Sequence, residues 1–351
     1  MLEPSGVPFD KSWNRIRSEF MEKIEDELDY LDNFHDKKPL KIRPDDYIKY
    51  YTLVYNMCVQ KDSNYAELLY NRLGETLSEY IKTKMCIRLK ATKSDESELK
   101  QILLTNWRKY KHYIHILTGI FAYLDRFYVP LAVQPTIYEY GMAIFQRLIF
   151  EPYKDFLKSV VLNALDSKRS GGVDNPSLDA DITNIVEMFN KLDSTSGTQY
   201  KMELEPFILD RANGYYLKIA PLWISELSLG DYLHIVQHCM EEEKMYCEKY
   251  FNESTKEQLL ATIISSLLFN QRIQLFNKFT QLFSLFMDNE VKELKRIYKP
   301  LSKLEGAHQS ISEQLKRAIE ESLTGIDSEN KIQNIVKVFS KFKRLFVLIF
   351  M

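Results

Sequence analysis

The residues of this chain best suited to holding a metal are His234, His238, Cys239 and Cys247. His234 and His238 stand four apart, so a helix sets both on one face, as imidazole ligation requires. Cys239 is turned about 100° from His238, and Cys247 follows more than two turns later. The four read as two partly exposed histidines and two small apolar side chains packed on a helix, and no metal is expected. Glu241-Glu242-Glu243 could serve acid–base chemistry, but consecutive carboxylates read as a solvated helix face. The basic run Lys341-Phe342-Lys343-Arg344, preceded by Lys331 and Lys337, could touch an acidic partner. It is short and reads as a solvated face, so no nucleic-acid partner is expected. Gly171-Gly172 carries no weight as a phosphate cradle, and no nucleophile elbow or kinase signature is present. The expectation is a non-enzymatic chain with no catalytic residue and no cofactor.

The elements that carry any binding function must then be sought among the helices. The densest aromatic stretch is Tyr47-Ile48-Lys49-Tyr50-Tyr51-Thr52-Leu53-Val54-Tyr55-Asn56-Met57-Cys58. At 100° per residue, Lys49, Thr52 and Asn56 fall on one narrow strip, and the rest of the circumference is apolar or tyrosine. A surface helix buries only a third to a half of its girth. This helix is therefore either wholly internal or carries a second apolar face for a partner. Tyrosine, an apolar ring with a hydroxyl, suits a half-wet interface.

Whole-chain composition narrows the class. With 351 residues the chain can build two or three domains or one array with a continuous core. Eleven glycines and eleven prolines are too few for a loop-rich β-sandwich. A formal net charge of −2 gives no global field toward nucleic acid or an anionic membrane. The four cysteines, Cys58, Cys86, Cys239 and Cys247, lie in helix-like stretches without a disulfide framework, which points to a reducing compartment. Met1 to Asp10 lacks the pattern of a signal peptide. The most apolar run, Leu345 to Met351, is far short of the roughly 20 residues of a membrane span. Cytoplasm and nucleus are the expected setting, with no membrane partner.

Nearly every segment carries a helical period. Trp13, Ile16, Phe20, Ile24 and Leu28 predict a helix over 11–29 capped by Asp10. Further helices are predicted over 45–59, with Asp45 as cap, over 64–90, and from Ser94-Asp95-Glu96-Ser97 onward. A second unusually apolar helix runs from Trp107 to Val129, closed by Pro130 and Pro135. Its polar and small residues, among them His115, Thr118, Gly119 and Asp125, crowd one side. The next begins near Thr136 and runs toward Leu165. Others are predicted over 178–192, 198–212, 214–228, 231–250 and 256–286, the last started by Ser254-Thr255-Lys256-Glu257. The final third, 287–322 and 328–351, is again helical. No alternating run argues for a sheet. The fold class is all-α, about fifteen helices in stacked units resembling an α-solenoid, without a strict repeat motif.

The stretches singled out on physical grounds resemble the cullin family. The run from Tyr47 to Cys58 resembles the second helix of the first cullin repeat, in its Tyr-Thr-x-Val-Tyr-Asn-x-Cys version. Trp107-x-x-Tyr110 followed by Leu117-Thr118-Gly119-Ile120-Phe121-Ala122-Tyr123-Leu124-Asp125-Arg126 resembles the fifth helix. Trp13, Tyr215-Tyr216, Trp223, Tyr232-Leu233, Glu241-Glu242, Tyr250 and Ser254-Thr255 follow collinearly.

The resemblance implies an elongated stalk of three five-helix repeats, 10–130, 131–255 and 256–351, the last incomplete. It implies a non-catalytic scaffold of a cullin-RING ubiquitin ligase, whose first repeat grips a BTB/POZ-fold adaptor. The version of the motif is nearest to cullins that bind a Skp-family adaptor loaded with F-box proteins. Elongin C or a BTB protein is the alternative adaptor, and a helical vesicle-tethering subunit is the rival class. Carried over residue by residue, the adaptor-facing positions are Tyr47, Ile48, Tyr51 and Tyr55, with Ile120, Tyr123, Leu124 and Phe127. Of these, Tyr55 and Ile120 are the two most apt to be ordinary core residues. Ile48 and Phe127 stand where cullins vary, which bears on adaptor choice. The half that holds the RING protein and the lysine modified by a ubiquitin-like protein is not in this sequence. A chain of this extent is expected to bind adaptor without recruiting a ubiquitin-conjugating enzyme.

Overall fold

The structure is a computed structural model and describes residues 8–30, 42–60, 64–92, 95–172, 175–192, 199–302, 304–324 and 331–350. Among these residues every regular element is helical, fifteen helices with no strand. The chain divides into two compact units that meet in sequence at Tyr200 and Lys201.

The first unit contains α1 (9–30), α2 (Pro44–Cys58), α3 (66–91), α4 (Glu96–Ile120), α5 (122–132), α6 (137–169) and α7 (Pro176–Lys191). The centre is α4, which packs against α1, α2, α3, α6 and α7. Asp95 starts it by accepting from the Ser97 and Glu98 amides at 2.9 and 3.2 Å. Trp107, Tyr110, Tyr113, Ile114 and Leu117 have no exposed surface, so most of its girth lies inside the unit. The start of α1 differs from expectation. Pro8 is the N-cap and Asp10 lies in the first turn, where its charge favours the positive helix end. The start of α6 is as predicted, with Thr136 and Glu139 forming a reciprocal capping box.

Arg17 and Glu25 form a largely buried ion pair in this unit. Glu25 accepts from both Arg17 guanidinium nitrogens, at 2.5 and 3.1 Å, and from the Tyr113 hydroxyl at 2.5 Å. Burial works against the Arg17 charge, but the bond to Glu25 and the charges of Glu25, Tyr113 and Glu22 together outweigh it and hold the guanidinium pKa above its ordinary value. Burial, reinforced by the Glu25 charge, holds the Tyr113 hydroxyl well above its usual range. The pair thereby fastens α1 to α4.

The second unit contains α8 (Glu205–Glu226), α9 (Leu229–Tyr250), α10 (253–269), α11 (Arg272–Asn277), α12 (Thr280–Met287), α13 (Val291–Leu301), α14 (Ala307–Thr324) and α15 (Lys331–Phe350). Helix α10 packs on α8 and α9, α9 on α13, α12 on α14, and α13 on α15. Tyr216, Tyr232, Leu267, Phe286 and Ile297 lie in one buried cluster.

Four expectations change here. The single helix predicted over 256–286 is broken by turns at 270–271 and 278–279 into α10, α11 and α12. The break predicted near Gly214 is absent, because Ala212 and Tyr216 are both buried on one continuous α8. Thr255 does not cap α10; its hydroxyl donates to the buried Glu205 carboxylate at 2.6 Å. Glu243 is not part of a solvated face. It is 1% exposed and accepts from the Tyr216 hydroxyl at 2.9 Å.

Candidate functional site

Helix α2 begins with Pro44 in its first turn after an extended Arg43, the position where a missing amide costs nothing. Asp46, also in that turn, accepts from Arg43 at 2.9 Å. Tyr50, Val54, Met57 and Cys58 form its buried face. The helix is pinned to α1 by Lys49, whose ammonium reaches Glu19 at 3.0 Å and the Tyr50 hydroxyl at 3.2 Å. The flank beside that face, which carries Tyr47, Tyr51 and Tyr55, is only partly covered. Tyr47 is 39%, Ile48 62% and Tyr55 41% exposed, and Tyr51 is half-buried.

The chain turns at Phe121 and continues as α5, which brings a second set beside the first. The Tyr55 and Tyr123 rings meet edge to face at 5.1 Å, and Tyr123 meets Phe127 at 4.6 Å. Phe127 is 53% exposed. At the other end of α2, the Tyr47 ring lies against Gly119. A Cβ there would stand 2.7 Å from the Tyr47 hydroxyl and 2.9 Å from its ring. Glycine at 119 is thus what lets the ring settle on α4. Burial raises the Tyr123 hydroxyl pKa, with Cys58, Tyr55 and Tyr51 adding to the effect. Burial also pushes the Cys58 thiol up to about 12, which keeps it a protonated packing group.

Six of the eight residues named from sequence therefore share one surface: Tyr47, Ile48, Tyr51, Tyr55, Tyr123 and Phe127. The other two are corrected. Ile120 and Leu124 have no exposed surface. They flank the turn at Phe121, itself fully buried, and there the chain directs Ile120 and Leu124 inward while Tyr123 and Phe127 stay outside. Tyr55, read as one of the residues most apt to be core, is instead at the middle of the aromatic row. Such a surface has no catalytic chemistry. A run of exposed rings with hydroxyls is suited to burial against another protein.

The sequence reading missed Leu131, in the last turn of α5, and Val133, just beyond it, which are 87% and 89% exposed. Val133 takes a left-handed backbone, φ 52°, costly for a β-branched residue. The turn is held by Asp125, which accepts from the Ile137 amide at 2.7 Å, and by the Tyr70 hydroxyl bonded to the Pro135 carbonyl at 2.9 Å. Two prolines around Leu131-Ala132-Val133 were the available signal of exposure.

The imidazole and thiol set does not converge. His234 and His238 are exposed, whereas Cys239 and Cys247 face the core of the second unit. His238 stands 3.5 Å from Glu242 on its own helix. Burial pushes the Cys239 thiol up to about 12. No helix among the described residues is long and apolar enough to cross a membrane.

A family model described as the cullin alpha solenoid domain matches residues 11–350. Cullin-1 of Oryza sativa subsp. japonica is 29% identical over 320 residues, covering 90% of this chain and 41% of that protein. Cullin-3 of Dictyostelium discoideum is 25% identical over 253 residues, 71% of this chain and 32% of that protein. A putative cullin-like protein 2 of Arabidopsis thaliana is 24% identical over 355 residues, 97% of this chain and 90% of that protein. The chain thus spans less than half the length of the first two relatives. With the match running from the first turns of α1 to the end of α15, this all-helical chain belongs to the cullin family.

Proposed function

We propose that this chain is the adaptor-binding scaffold of a cullin-RING ubiquitin ligase and has no catalytic role of its own. The observation that carries the reading is the partly exposed aromatic surface of α2 and α5, Tyr47, Ile48, Tyr51, Tyr55, Tyr123 and Phe127. Buried rings at the centre of an interface supply most of its binding energy, while the rim excludes water. The occupant is a Skp-family adaptor of BTB/POZ fold that carries F-box substrate receptors. The Tyr-Thr-x-Val-Tyr-Asn-x-Cys version of α2 favours that adaptor class. Relatives named Cullin-1, Cullin-2 and Cullin-3 all match at low identity, so elongin C and a BTB protein are the competing occupants of the same surface.

In this reading the scaffold acts by position. A substrate held through the adaptor gains effective concentration at a distant catalytic module only if the spacer between them is stiff. The arrangement as three repeats, with bounds near 130 and 255, belongs to the same proposal, as does action in cytoplasm and nucleus.

The test is a double change, Tyr47→Ala with Ile48→Ala. Both side chains are well exposed, so the melting temperature should stay nearly constant while affinity for a Skp-type adaptor–F-box pair collapses. A large loss of stability with binding retained would place these residues in the core and remove the proposal.

A further inference from the structure

On the first unit, an open cleft of about 400 Å³ is lined by Arg108, Lys111, His112, His115, Tyr138 and Lys191. Four of these share one face of α4, at spacings of three, four and seven residues. Tyr138 comes from α6 and Lys191 from the end of α7. Every lining group is cationic, an imidazole or a phenol. Ordinary small-molecule clefts are mostly apolar with a few polar groups, and this one has the opposite character.

The cleft is also pre-shaped. Glu187 of α7 accepts from Lys111 at 2.5 Å, from Lys191 at 2.8 Å and from the Trp107 indole at 3.4 Å. Burial works to raise the Glu187 pKa, but the bonds from Lys111 and Lys191 outweigh it, so the carboxyl is held below its usual range. One carboxylate thus holds two ammonium groups in place without cancelling them. Together with Arg108 these groups leave a net charge of +2, before either imidazole is counted. Arg108 has no ion pair among the described residues. Its guanidinium reaches only the Leu104 carbonyl and the Thr105 hydroxyl, each at 3.4 Å. Held ammonium groups beside an uncommitted guanidinium match a compact ligand with several negative oxygens.

We infer that this cleft is a binding site for a small polyphosphate-type anion, separate from the aromatic surface and independent of which protein that surface takes. Arg108 would clasp one phosphate in bidentate fashion, and Lys111 and Lys191 would neutralise the remainder. The charged and polar character of the lining favours an anion over a peptide, which needs side-chain packing as well as charge.

The test is calorimetric titration of the full chain with sodium tripolyphosphate at low ionic strength, beside the variant Arg108→Ala with Lys191→Ala. A single saturable site is expected, weakened at least tenfold in the variant and weakened by added salt. Both substituted side chains are exposed, so the variant should melt with the parent. If it does not, Arg108→Gln alone must give a clear loss of affinity. No saturable heat up to millimolar ligand, or equal affinity in the variant, would overturn the inference. Tighter binding of hexaglutamate than of tripolyphosphate would overturn it in favour of an acidic protein segment.

Discussion

Replacing Gly119 by alanine separates the stability of the fold from the readiness of its aromatic surface. The new Cβ would lie 2.7 Å from the Tyr47 hydroxyl, where ordinary contact begins at 3.4 Å, so the ring must retreat by at least about 0.7 Å. Tyr47 is 39% exposed, and its free path is outward into solvent. Little core packing is lost on the way. Alanine also favours a helix over glycine by up to about 1 kcal/mol, less at this penultimate position of α4. The melting temperature should therefore hold or rise slightly. Binding should suffer, because an aromatic anchor displaced from its seat loses about 1–2 kcal/mol, roughly a 5- to 30-fold weaker complex. The assay pairs calorimetric melting with a titration of a Skp-type adaptor–F-box pair. Unchanged affinity in Gly119→Ala, with strong loss in Tyr47→Ala, would show that the seat on α4 does not matter. A melting temperature lower by several degrees would show that Tyr47 is held as core.

Other changes distinguish the surface from what lies beneath it. Leu124→Ala should cost about 2–5 kcal/mol in urea unfolding, since it empties a fully buried site. Phe127→Ala, one turn away and half exposed, should cost under about 1 kcal/mol; equal costs would contradict the separation at the Phe121 turn. Glu25→Gln strips the countercharge from a largely buried Arg17. About 2–3 kcal/mol of stability should be lost, less than for a fully enclosed pair because a quarter of the Arg17 side chain is exposed. High pH should also destabilise the fold. The unfolded chain releases thiol protons near pH 8.5 while Cys58 and Cys239 keep theirs up to about 12. The folded state then binds more protons, so stability falls between those limits by about 1.4 kcal/mol per pH unit for each thiol. Cys58→Ala should flatten that fall, and an unaltered slope would exclude Cys58 as a source.

The helices were legible because Trp13 to Leu28, Leu69 to Tyr80 and Leu103 to Leu117 repeat their apolar residues at helical spacing. What the period does not show is where a helix breaks inside an apolar run. The turn at Phe121 is such a case: apolar residues stand on both sides of it, and there the Leu124 amide bonds the Phe121 carbonyl at 2.9 Å. Missing that turn merged α4 and α5 into one helix and misplaced Ile120 and Leu124. Gly214 misled in the other direction. A glycine in the middle of a helix suggests a break, yet buried Ala212 and Tyr216 carry α8 through it. The excess of tyrosine on α2 was readable as a second face. That Tyr55 belongs to it depends on Tyr123, which lies on another helix. The charged cleft escaped notice for a similar reason, because Lys191 and Tyr138 approach α4 only in the fold.

The most direct measurement of the central claim is a titration of this chain with a purified Skp-type adaptor–F-box pair, beside elongin C and a BTB protein. Saturable binding to the first alone, abolished by Tyr47→Ala with Ile48→Ala at unchanged melting temperature, is the expected result. Binding to another of the three would keep the surface and change its occupant. Binding to none, with the fold intact, would contradict the assignment of α2 and α5 as an adaptor site.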